Sequence, residues 1–399
     1  MTGKGARAGI PAGVWTLGFV SLLMDTSSEL VHALLPLYLA GTLGASALVI
    51  GLIEGAAEAL ALVVKVFSGV LSDYTRRRKP LVLAGYGLAA VSKLAFPLAA
   101  SLGWIVGARL VDRLGKGIRG APRDALIADI TPPAVRGAAF GLRQSLDTVG
   151  AIAGPLLAVG AIGWFAGDFQ AAFWIAVVPA ALCVLLIVLG VEEPARSGKA
   201  AAKKLSWRDA RRLDAQFRIV VAIAMVLTLA RFSEAFLILR ARDVGLSDVQ
   251  APWVMVVMAV VYAGIAYPAG RAADRGHAGA LLLAGFAALI ASDLVLARAA
   301  GAVGVLAGTA LWGLHMALTQ GLLAALVSAT APADLRGTAF GVFNLGCGVA
   351  LLVASALAGA LWDWFGPAYT FYAGAAFTAL AATGWLLVRR RLPALRTGS

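Results

Sequence analysis

Charged residues are scarce in this chain. Only 14% of its 399 residues are Asp, Glu, Lys or Arg, against roughly a quarter in a soluble domain. Hydrophobic residues make up 60%, and the mean hydropathy is +0.86. This balance excludes a soluble helical protein, whose helices would need polar outer faces. Cysteine is also rare: Cys183 and Cys347 fall in different halves without metal-type spacing, which excludes a disulfide framework. No G-x-x-x-x-G-K-[ST] run occurs, so ATP is not expected to drive the protein.

Long apolar segments occupy most of the sequence. Each is roughly twenty residues long, the length that crosses a bilayer as a helix, and they predict an all-α, multi-pass membrane protein. The segments are 14–39, 47–71, 81–102, 104–130, 136–161, 171–190, 217–240, 250–270, 279–298, 302–329, 337–361 and 368–388. The first segment lacks a small-residue cleavage site, so we expect it to be a retained span and not a signal peptide.

Basic residues outnumber acidic ones, 34 to 21, giving a net charge of +13. Most of the basic residues lie in the tails and in every second loop, which predicts orientation in a membrane and no nucleic-acid partner. The positive-inside rule places both termini in the cytoplasm. The polar, basic stretch 191–216 is expected to be a cytoplasmic linker between an N-terminal bundle, residues 1–190, and a C-terminal bundle, residues 217–399.

The sequence repeats itself at half its length. Arg136-Gly137-Ala138-Ala139-Phe140-Gly141-Leu142 returns two hundred residues later as Arg336-Gly337-Thr338-Ala339-Phe340-Gly341-Val342. Ser28-Glu29 is echoed by Ser233-Glu234 at a slightly different offset. Repeats of this size in an apolar chain are typical of secondary transporters, and they predict two pseudo-symmetric six-helix bundles.

The loop after the second segment carries a known signature. Gly69-Val70-Leu71-Ser72-Asp73-Tyr74-Thr75-Arg76-Arg77-Arg78-Lys79-Pro80-Leu81 resembles motif A of the major facilitator superfamily, G-x-L-a-D-r-x-G-r-k-x-x-l, with Arg76 where the motif has Gly. A degraded copy runs from Gly270 to Arg275, as duplication requires. The resemblance implies the superfamily's fold: twelve transmembrane helices, with both termini cytoplasmic.

Three weaker motifs support this resemblance. Arg113-Leu114-Gly115-Lys116-Gly117 is similar to motif B, with Lys116 in place of Gln. Gly150-Ala151-Ile152-Ala153-Gly154-Pro155 is similar to motif C, which marks antiporters in this superfamily, although Ala158 replaces an expected Gly. Asp25, eleven residues before Pro36, looks like motif D. Small residues also serve close helix packing in membranes.

The resemblance implies a cytoplasmic gate built on Gly69, Asp73, Arg77 and Asp129. Asp73 would accept hydrogen bonds from the start of the eleventh span, near Gly337, where the helix dipole is positive. Arg77 would bridge to Asp129 or, less favourably placed, Asp124. For Arg76, Arg78 and Lys79 we expect a role in orientation only.

Intramembrane charges are concentrated in the N-terminal half. A charged side chain at mid-membrane costs a few kcal/mol unless it pairs or lines water. Arg109, Asp112, Arg113, Lys116, Arg119 and Arg123 fall within an arc of roughly 120° on the fourth segment. The superfamily resemblance implies that spans one, four, seven and ten line a central cavity. The residues assigned to proton coupling and the cavity are Asp25, Glu29, Glu54, Glu58, Arg109, Asp112, Arg113, Lys116 and Glu234.

The predicted cavity wall consists of His32, Arg119, Phe232, Phe236, Trp312 and Met316. Asp25 and Glu29 lie one helical turn apart, and because two close carboxylates cannot both ionise cheaply, one should hold a proton while Arg113 stabilises the other. Lys65, Lys93, Arg143 and Asp147 are expected to form structural pairs. His315, Met316, Met255, Met258 and Cys347 could form a soft-metal path, but packing is favoured, and no metal or cofactor is predicted.

Together these features predict a transporter and not an enzyme. We expect a monomeric, proton-coupled secondary transporter of a small molecule in a bacterial inner membrane, working by alternating access as an efflux antiporter. The alternative within the class is import of an anionic metabolite or a siderophore-like metal chelate, which the Arg and Lys stripe would suit. A non-transporting membrane sensor is the competing class, but sensors usually append a soluble signalling domain, and we expect none here.

Overall fold

The protein is all α-helical over the residues that the computed structural model describes, 9–75, 77–193, 212–332 and 335–389. Most of the predicted linker, residues 194–211, lies outside these ranges. Six long helices form the N-terminal half: α1 (Ala12–Gly41), α2 (Ala47–Thr75), α3 (Arg78–Ala95), α4 (Leu102–Ile130), α5 (Arg136–Trp164) and α6 (Phe169–Gly190). A 3₁₀ turn, Pro133–Val135, precedes α5.

The C-terminal half contains seven helices in its described part. These are α7 (Ala215–Ala230), α8 (Ala235–Asp243), α9 (Trp253–Ala272), α10 (Ala278–Arg298), α11 (Ala302–Thr330), α12 (Arg336–Phe365) and α13 (Pro367–Val388). The seventh apolar segment was predicted as one helix over 217–240, but the helix is interrupted between Ala230 and Ala235. A π-helical turn, Ala273–His277, joins α9 to α10, and Gly276 within it has a φ of 88°, which glycine adopts without strain.

Eight helical segments of the described chain are long and apolar enough to cross a membrane. One of them, Ala215–Asp243, covers α7 and α8, and another, Trp253–Arg298, covers α9 and α10. Helices α1, α3 and α4 are not among the eight. Helices α1 and α4 are 30 and 29 residues long, so they are not excluded for being too short. Their charged and polar residues lower the hydropathy, which already marks where the chain carries its intramembrane charge.

Each half packs mainly on itself. In the first half α1 lies against α5 and α6, and α4 against α2 and α3; in the second, α11 lies against α9 and α10, and α13 against α7 and α10. Aromatic rings fill the C-terminal core, where Phe232 contacts Phe236, Trp312 and Phe371 at centroid distances of 5.5, 5.4 and 5.6 Å. All four are nearly or fully buried, and packing of this kind is the main attraction available between helices in lipid.

The two halves meet most closely at one end of the helices. We call it the Asp363 end, because the carboxylate of Asp363 on α12 accepts hydrogen bonds from the backbone N–H groups of Ala47 and Leu48 at 3.0 and 2.9 Å. These N–H groups open α2 and have no partner within the helix, so the carboxylate caps it. Next to this cap, α2 and α12 touch backbone to backbone at Gly359 and Ala47.

The opposite end, which we call the Asp73 end, is more open between the halves. Asp73 is exposed there, and a Cβ added at Gly337 would meet nothing within 4 Å. By contrast, Gly51 and Gly55, nearer the Asp363 end of α2, contact Ser355 and Leu352 so closely that a Cβ would collide with them. The helices therefore converge at the Asp363 end and diverge toward the Asp73 end.

Candidate functional site

A cavity of about 330 Å³ lies between the two halves. Its lining comes from α1, α4 and α5 on one side and from the α7–α8 interruption, α9 and α11 on the other. Within each long helix the lining residues recur three or four positions apart, so each helix presents one face to the cavity. The residues are Asp25, Glu29, Lys116, Gln144, Asp147, Thr148, Ala151, Glu234, Met255, Met258, Ala259, Tyr262, Met316 and Gln320.

Glycines of α5 fix the position of the acidic face of α1. A Cβ at Gly150 would lie 2.6 Å from the carbonyl oxygen of Leu22 and 3.1 Å from Cβ of Asp25. A Cβ at Gly154 would lie 2.6 Å from Cβ of Glu29. Both glycines and the following Pro155 are buried. The predicted antiporter motif of α5 is therefore the surface against which α1 packs at its two cavity carboxylates.

The interruption of the seventh segment brings Glu234 to the cavity. Helix α7 ends at Ala230, and α8 begins at Ala235. The N–H of Ser233 donates to Oγ of Ser355 at 3.1 Å, and Oγ of Ser233 accepts from the N–H of Ala235 at 3.2 Å. These bonds satisfy backbone groups that a continuous helix would have paired. Broken helices at mid-membrane are a recurrent way of building transporter binding sites.

A buried charge cluster lies behind the cavity, between α1, α2, α3 and α4. It consists of His32, Glu54, Lys93, Arg109 and Asp112. Arg109 donates to Glu54 at 2.5 Å, Lys93 donates to Asp112 at 2.7 Å, and the second Arg109 nitrogen lies 3.7 Å from Asp112. Their side chains are at most 8% exposed. Charges so deeply buried are tolerated only when paired, because desolvation costs several kcal/mol per ion.

His32 connects this cluster to the cavity. Its Nδ1 lies 3.5 Å from the carboxylate of Glu29, which lines the cavity, and its Nε2 lies 3.8 Å from that of Glu54, which is fully buried. The imidazole is therefore placed between an accessible carboxylate and an inaccessible one. His32 was predicted on the cavity wall, but the structure places it one layer behind.

The remaining basic residues of the α4 stripe also have partners. Arg113 bridges to Glu58 at 2.8 Å, and Lys116 lies 3.8 Å from the same carboxylate. Arg119 stacks over the ring of Tyr86, 4.5 Å from its centroid. Among the six charged residues of this stripe, only Lys116 lines the cavity. The predicted charged wall is thus mostly an interior network, and Arg119 and Arg123 approach the cavity only behind its carboxylates Asp25 and Asp147.

One predicted contact is corrected by this geometry. Arg113 was expected to stabilise Asp25 or Glu29, but it pairs with Glu58 because α2 lies against that face of α4. Arg119 is the guanidinium nearest Asp25, at 3.7 Å.

Three aromatic residues of the predicted wall also lie elsewhere. Phe232, Phe236 and Trp312 form the aromatic core of the C-terminal half, with exposures of 3%, 0% and 1%, and do not line the cavity. Of the predicted wall residues, Met316 alone is among those that do. The sequence could not reveal this, because an aromatic residue on a cavity helix can point to either side of it.

Several cavity residues escaped the sequence analysis. Asp147 was assigned to a structural pair with Arg143, and that pair exists at 2.7 Å, but the carboxylate also lines the cavity. Gln144, Asp147, Thr148 and Ala151 on α5 share one helical face, and Met255, Met258, Ala259 and Tyr262 share another on α9. The three- and four-residue spacing was visible in the sequence; which face of each helix met the cavity was not.

At the Asp73 end the pairing also differs from expectation. Asp129 pairs with Arg78, at 2.8 Å, and not with Arg77. Arg77 is exposed and precedes α3, and Arg78 therefore does more than set orientation. Glu193, beyond α6, caps α3 by accepting from the N–H groups of Arg78 and Lys79, both at 2.8 Å. Gly69 lies beside Ala121 of α4, where a Cβ would fit at 3.4 Å.

His315 and Cys347, the imidazole and the thiol of the soft-metal path, are both buried. Nδ1 of His315 bonds the carbonyl oxygen of Gly285 at 2.8 Å, and Cys183 and Cys347 are free and buried. Within the described residues, no group of three or more His, Cys, Asp or Glu side chains is arranged to hold a metal ion.

Comparison with known proteins decides the family. The family model of the Major Facilitator Superfamily matches residues 17–349 and 221–399. The chain belongs to this superfamily. Its fold, its cavity between two repeated halves and its motif A are those of a transporter family and not of an enzyme class.

Relatives of this chain align with different shares of its length. The uncharacterized MFS-type transporter MJ1317 of Methanocaldococcus jannaschii is 32% identical over 369 residues, covering 90% of this chain and 91% of its own. The multidrug resistance protein MdtH of Photorhabdus laumondii is 30% identical over 163 residues, 41% of this chain and 39% of its own. A crystal structure of a POT family transporter with a bound thioalcohol-conjugated peptide superposes with a TM-score of 0.79 at 13% identity, covering 96% of this chain and 97% of its own; this likeness concerns the fold alone.

Proposed function

We propose that the protein is a proton-coupled secondary active transporter that exports a small molecule by alternating access. One observation carries this proposal: a cavity between the repeated halves is lined by carboxylates of both, while the halves converge at the Asp363 end and diverge at the Asp73 end. A cavity of this size, with few polar groups converging in it, suits a small molecule. Opening and closing would alternate which end reaches it.

Proton coupling is assigned to Asp25 and Glu29. Both are on α1, both line the cavity, and their side chains are 28% and 23% exposed. Carboxylates at mid-membrane are costly to retain, so those that line a cavity mark an ion or substrate pathway. His32 ties Glu29 to the buried Glu54, so the charge on Glu29 would be felt by the cluster that joins α1, α2 and α4. A change of protonation could in this way alter how those helices pack.

The partly satisfied hydrogen bonds of the charge cluster support a functional role. Two buried nitrogens of Arg109, Nε2 of His32 and one Glu54 oxygen have no hydrogen-bond partner among the described residues, and the same holds for two nitrogens of Arg113 beside the cluster. Purely structural clusters in native proteins leave few such atoms unpaired. A network that must rearrange during transport is expected to leave some bonds unmade in any one state.

The gate is assigned to two acids at opposite ends of the molecule. Asp363 closes its end by capping α2 in this state. In the alternate state Asp73 would cap α12 near Gly337, as motif A implies. Each carboxylate would stabilise one closed end through hydrogen bonds to helix N–H groups and the positive helix terminus.

Orientation follows from the basic loops. We place twelve crossings in a bacterial inner membrane, both termini and the Asp73 end in the cytoplasm, and the chain as a monomer; the state described would then be inward-open. A cysteine at exposed Ala166, between α5 and α6, should react with an impermeant reagent in intact cells, and one at exposed Ala134, between α4 and α5, should not. Labelling of Ala134→Cys but not of Ala166→Cys would show that the protein has the opposite orientation in the membrane.

Export is favoured over import by the sequence of α5 and by one group of relatives. The antiporter motif supplies the glycines against which Asp25 and Glu29 pack, and the partial relatives include multidrug resistance proteins. Import of an anion has less support, because the arginines of α4 are paired behind the cavity.

Transport by purified protein in liposomes tests the proposal. With an imposed pH gradient, a transported compound should dissipate the gradient, reported by an internal pH-sensitive dye, in a screen of cationic, neutral and anionic compounds. Asp25→Asn and Glu29→Gln should abolish gradient-driven transport. Asp168→Asn is the matched control, because Asp168 caps α6 away from the cavity and Asn caps equally well. Uphill transport by the Asp25→Asn, Glu29→Gln double variant would show that the proton travels elsewhere.

A further inference from the structure

We propose that the cavity binds an organic cation with an apolar body. The proposal rests on the assigned transport function and adds the chemical class of the substrate. Three features of the cavity lead to it: the sign of the charges that reach its surface, the pairing of the charges that do not, and the side chains that form the rest of its wall.

The charges at the cavity surface are mainly negative. Asp25, Glu29, Asp147 and Glu234 line it, against the single ammonium of Lys116. Asp147 is committed to Arg143 at 2.7 Å. Glu234 forms no ion pair with a described residue, and Glu29 has only the 3.5 Å contact with His32. Neither carboxylate forms an ion pair with a Lys or Arg side chain of the described residues, and the nearest basic groups, among them Arg231 for Glu234, act on them from beyond salt-bridge distance. Carboxylates left without an ion pair are the groups that recognise a positive charge.

The arginines that would attract an anion do not reach the cavity. Arg109 and Arg113 are at most 1% exposed, and their guanidinium groups are paired with Glu54 and Glu58. Arg119 is 5% exposed and lies over Tyr86. Arg109 and Arg113 are each desolvated and held by a carboxylate, so their charge is largely neutralised at the cavity surface. Arg119 lies 3.7 Å from Asp25 and therefore offsets the charge of that one cavity carboxylate.

Methionines form the opposing wall. Met255 and Met258 lie on α9 one helical turn apart, Met316 lies on α11, and Tyr262 adds a ring one further turn along α9. Flexible thioether side chains adapt to irregular apolar shapes and suit binding surfaces of broad specificity. An apolar body would lie on this wall while its positive charge met the carboxylates.

The two unpaired carboxylates come from different halves. Glu29 lies on α1, and its sequence counterpart Glu234 lies at the start of α8. A cation held between them would contact both halves at once and so favour a state in which they approach each other. This is the differential affinity that a ligand needs to shift a conformational equilibrium.

Two molecules of nearly the same shape and opposite charge test this directly. Tetraphenylphosphonium and tetraphenylborate differ chiefly in sign, and their binding to the purified full-length protein can be compared by equilibrium dialysis in detergent, with a heat-unfolded sample to subtract partition into micelles. We expect saturable binding of the phosphonium only. Glu29→Gln and Glu234→Gln should each weaken it roughly 10- to 100-fold, the loss expected for a charge-assisted contact.

Lys116→Met should change the phosphonium affinity in the opposite direction. Removal of the one ammonium in the lining should tighten phosphonium binding, whereas a structural defect would weaken it. Met258→Ala, which removes part of the methionine wall, should weaken phosphonium binding, and Asp168→Asn, away from the cavity, is the control that should bind as the wild type does. Circular dichroism confirms that each variant is folded.

The outcomes separate this proposal from the transport proposal. Saturable binding of tetraphenylborate, or unchanged phosphonium affinity in both glutamine variants, would overturn the cation assignment even if an anion proved to be transported against a pH gradient. Phosphonium binding that follows the predicted pattern without gradient-driven transport would support the cation site and contradict proton coupling.

Discussion

Matched positions in the two halves carry opposite chemistry. On α4 they are Arg109, Asp112, Arg113, Lys116 and Arg119; two hundred residues on, α11 has Thr309, Trp312, Gly313, Met316 and Thr319. The backbone arrangement is retained, since α4 packs on α2 and α3 as α11 packs on α9 and α10. The first half is joined by buried ion pairs, and the second by aromatic packing around Trp312.

This difference indicates which half of the protein rearranges and which half keeps its packing. Buried ion pairs bring no certain gain in stability, because desolvation offsets much of their attraction. The N-terminal half retains them where Asp25, Glu29 and His32 connect to them, which is where protonation is proposed to act. The C-terminal half instead contributes the methionine wall and one acid, Glu234.

The largest expected effect compares Asp112 with Asp293. Asp112→Asn leaves the buried ammonium of Lys93 and two neighbouring arginines short of a negative charge, and should cost about 3–5 kcal/mol of unfolding free energy. Asp293, at the position matching Lys93, is fully buried, and its carboxylate oxygens have no hydrogen-bond partner among the described residues. Asp293→Asn should therefore cost less than about 1 kcal/mol or stabilise the protein.

Denaturation of both variants in mixed micelles, followed by tryptophan fluorescence, measures this pair of changes. Equal losses would mean that Asp293 has a partner in the folded protein, and the halves would then be less different than their geometry indicates.

An intermediate effect is expected at the glycines of α5. In Gly154→Ala the new methyl would meet Cβ of Glu29 and the carbonyl oxygen of Thr26, at 2.6 and 2.8 Å. Such overpacking should cost about 1–3 kcal/mol and, by displacing α1, lower transport. The matched position in α12 already holds Ala354, which is 2% exposed, and Ala354→Gly should cost about 1 kcal/mol through helix propensity alone.

Unfolding free energy and the transport rate should be measured on the same preparations. A Gly154→Ala protein with unaltered transport would show that the close contact of α1 and α5 is not needed for coupling.

The smallest effect concerns the two gate acids. Asp363→Ala removes the cap of α2, worth about 0.5–2 kcal/mol, and should shift the population toward opening at the Asp363 end by about 2- to 30-fold. Spin labels at exposed Thr42 and Tyr369, read by pulsed electron resonance, report that distance. Asp73 has no hydrogen bond or ion pair with another described residue in this state, so Asp73→Ala should populate the long distance less than the wild type. If both variants lengthened the distance between the labels, Asp363 and Asp73 would not act as caps of two alternate states.

The sequence predicted the architecture well because its signals are local or periodic. Hydropathy marked the helices, the two-hundred-residue repeat predicted two like halves, and motif A identified the superfamily, which the family comparison confirmed. Asp25, Glu29, Lys116, Glu234 and Met316, which the sequence placed at a cavity, lie among the residues that line it. The carboxylates stood out because intramembrane charge is costly and therefore informative.

The helix break at Arg231 to Glu234 and the cap by Asp363 had no such signal. Arg231, Phe232, Ser233 and Glu234 include neither proline nor glycine, so nothing local marks an interruption; Ser355, from a distant helix, satisfies the freed N–H of Ser233. Asp363 and Ala47 are 316 residues apart in the chain, and only the convergence of α2 and α12 brings them together.

What the sequence determined by itself is which residues enter the membrane and which of them carry charge, since both follow from composition and helical period. The tertiary structure alone decided the partner of each charge. Arg113 and Arg119 lie at opposite edges of the charged stripe of α4, about 120° apart around the helix. The first pairs with Glu58 of α2, and the second lies near Asp25 of α1. Helical spacing fixes the direction of a side chain around its own axis, but the neighbour in that direction depends on how separate helices pack, and that choice determined whether the cavity surface carries cations or carboxylates.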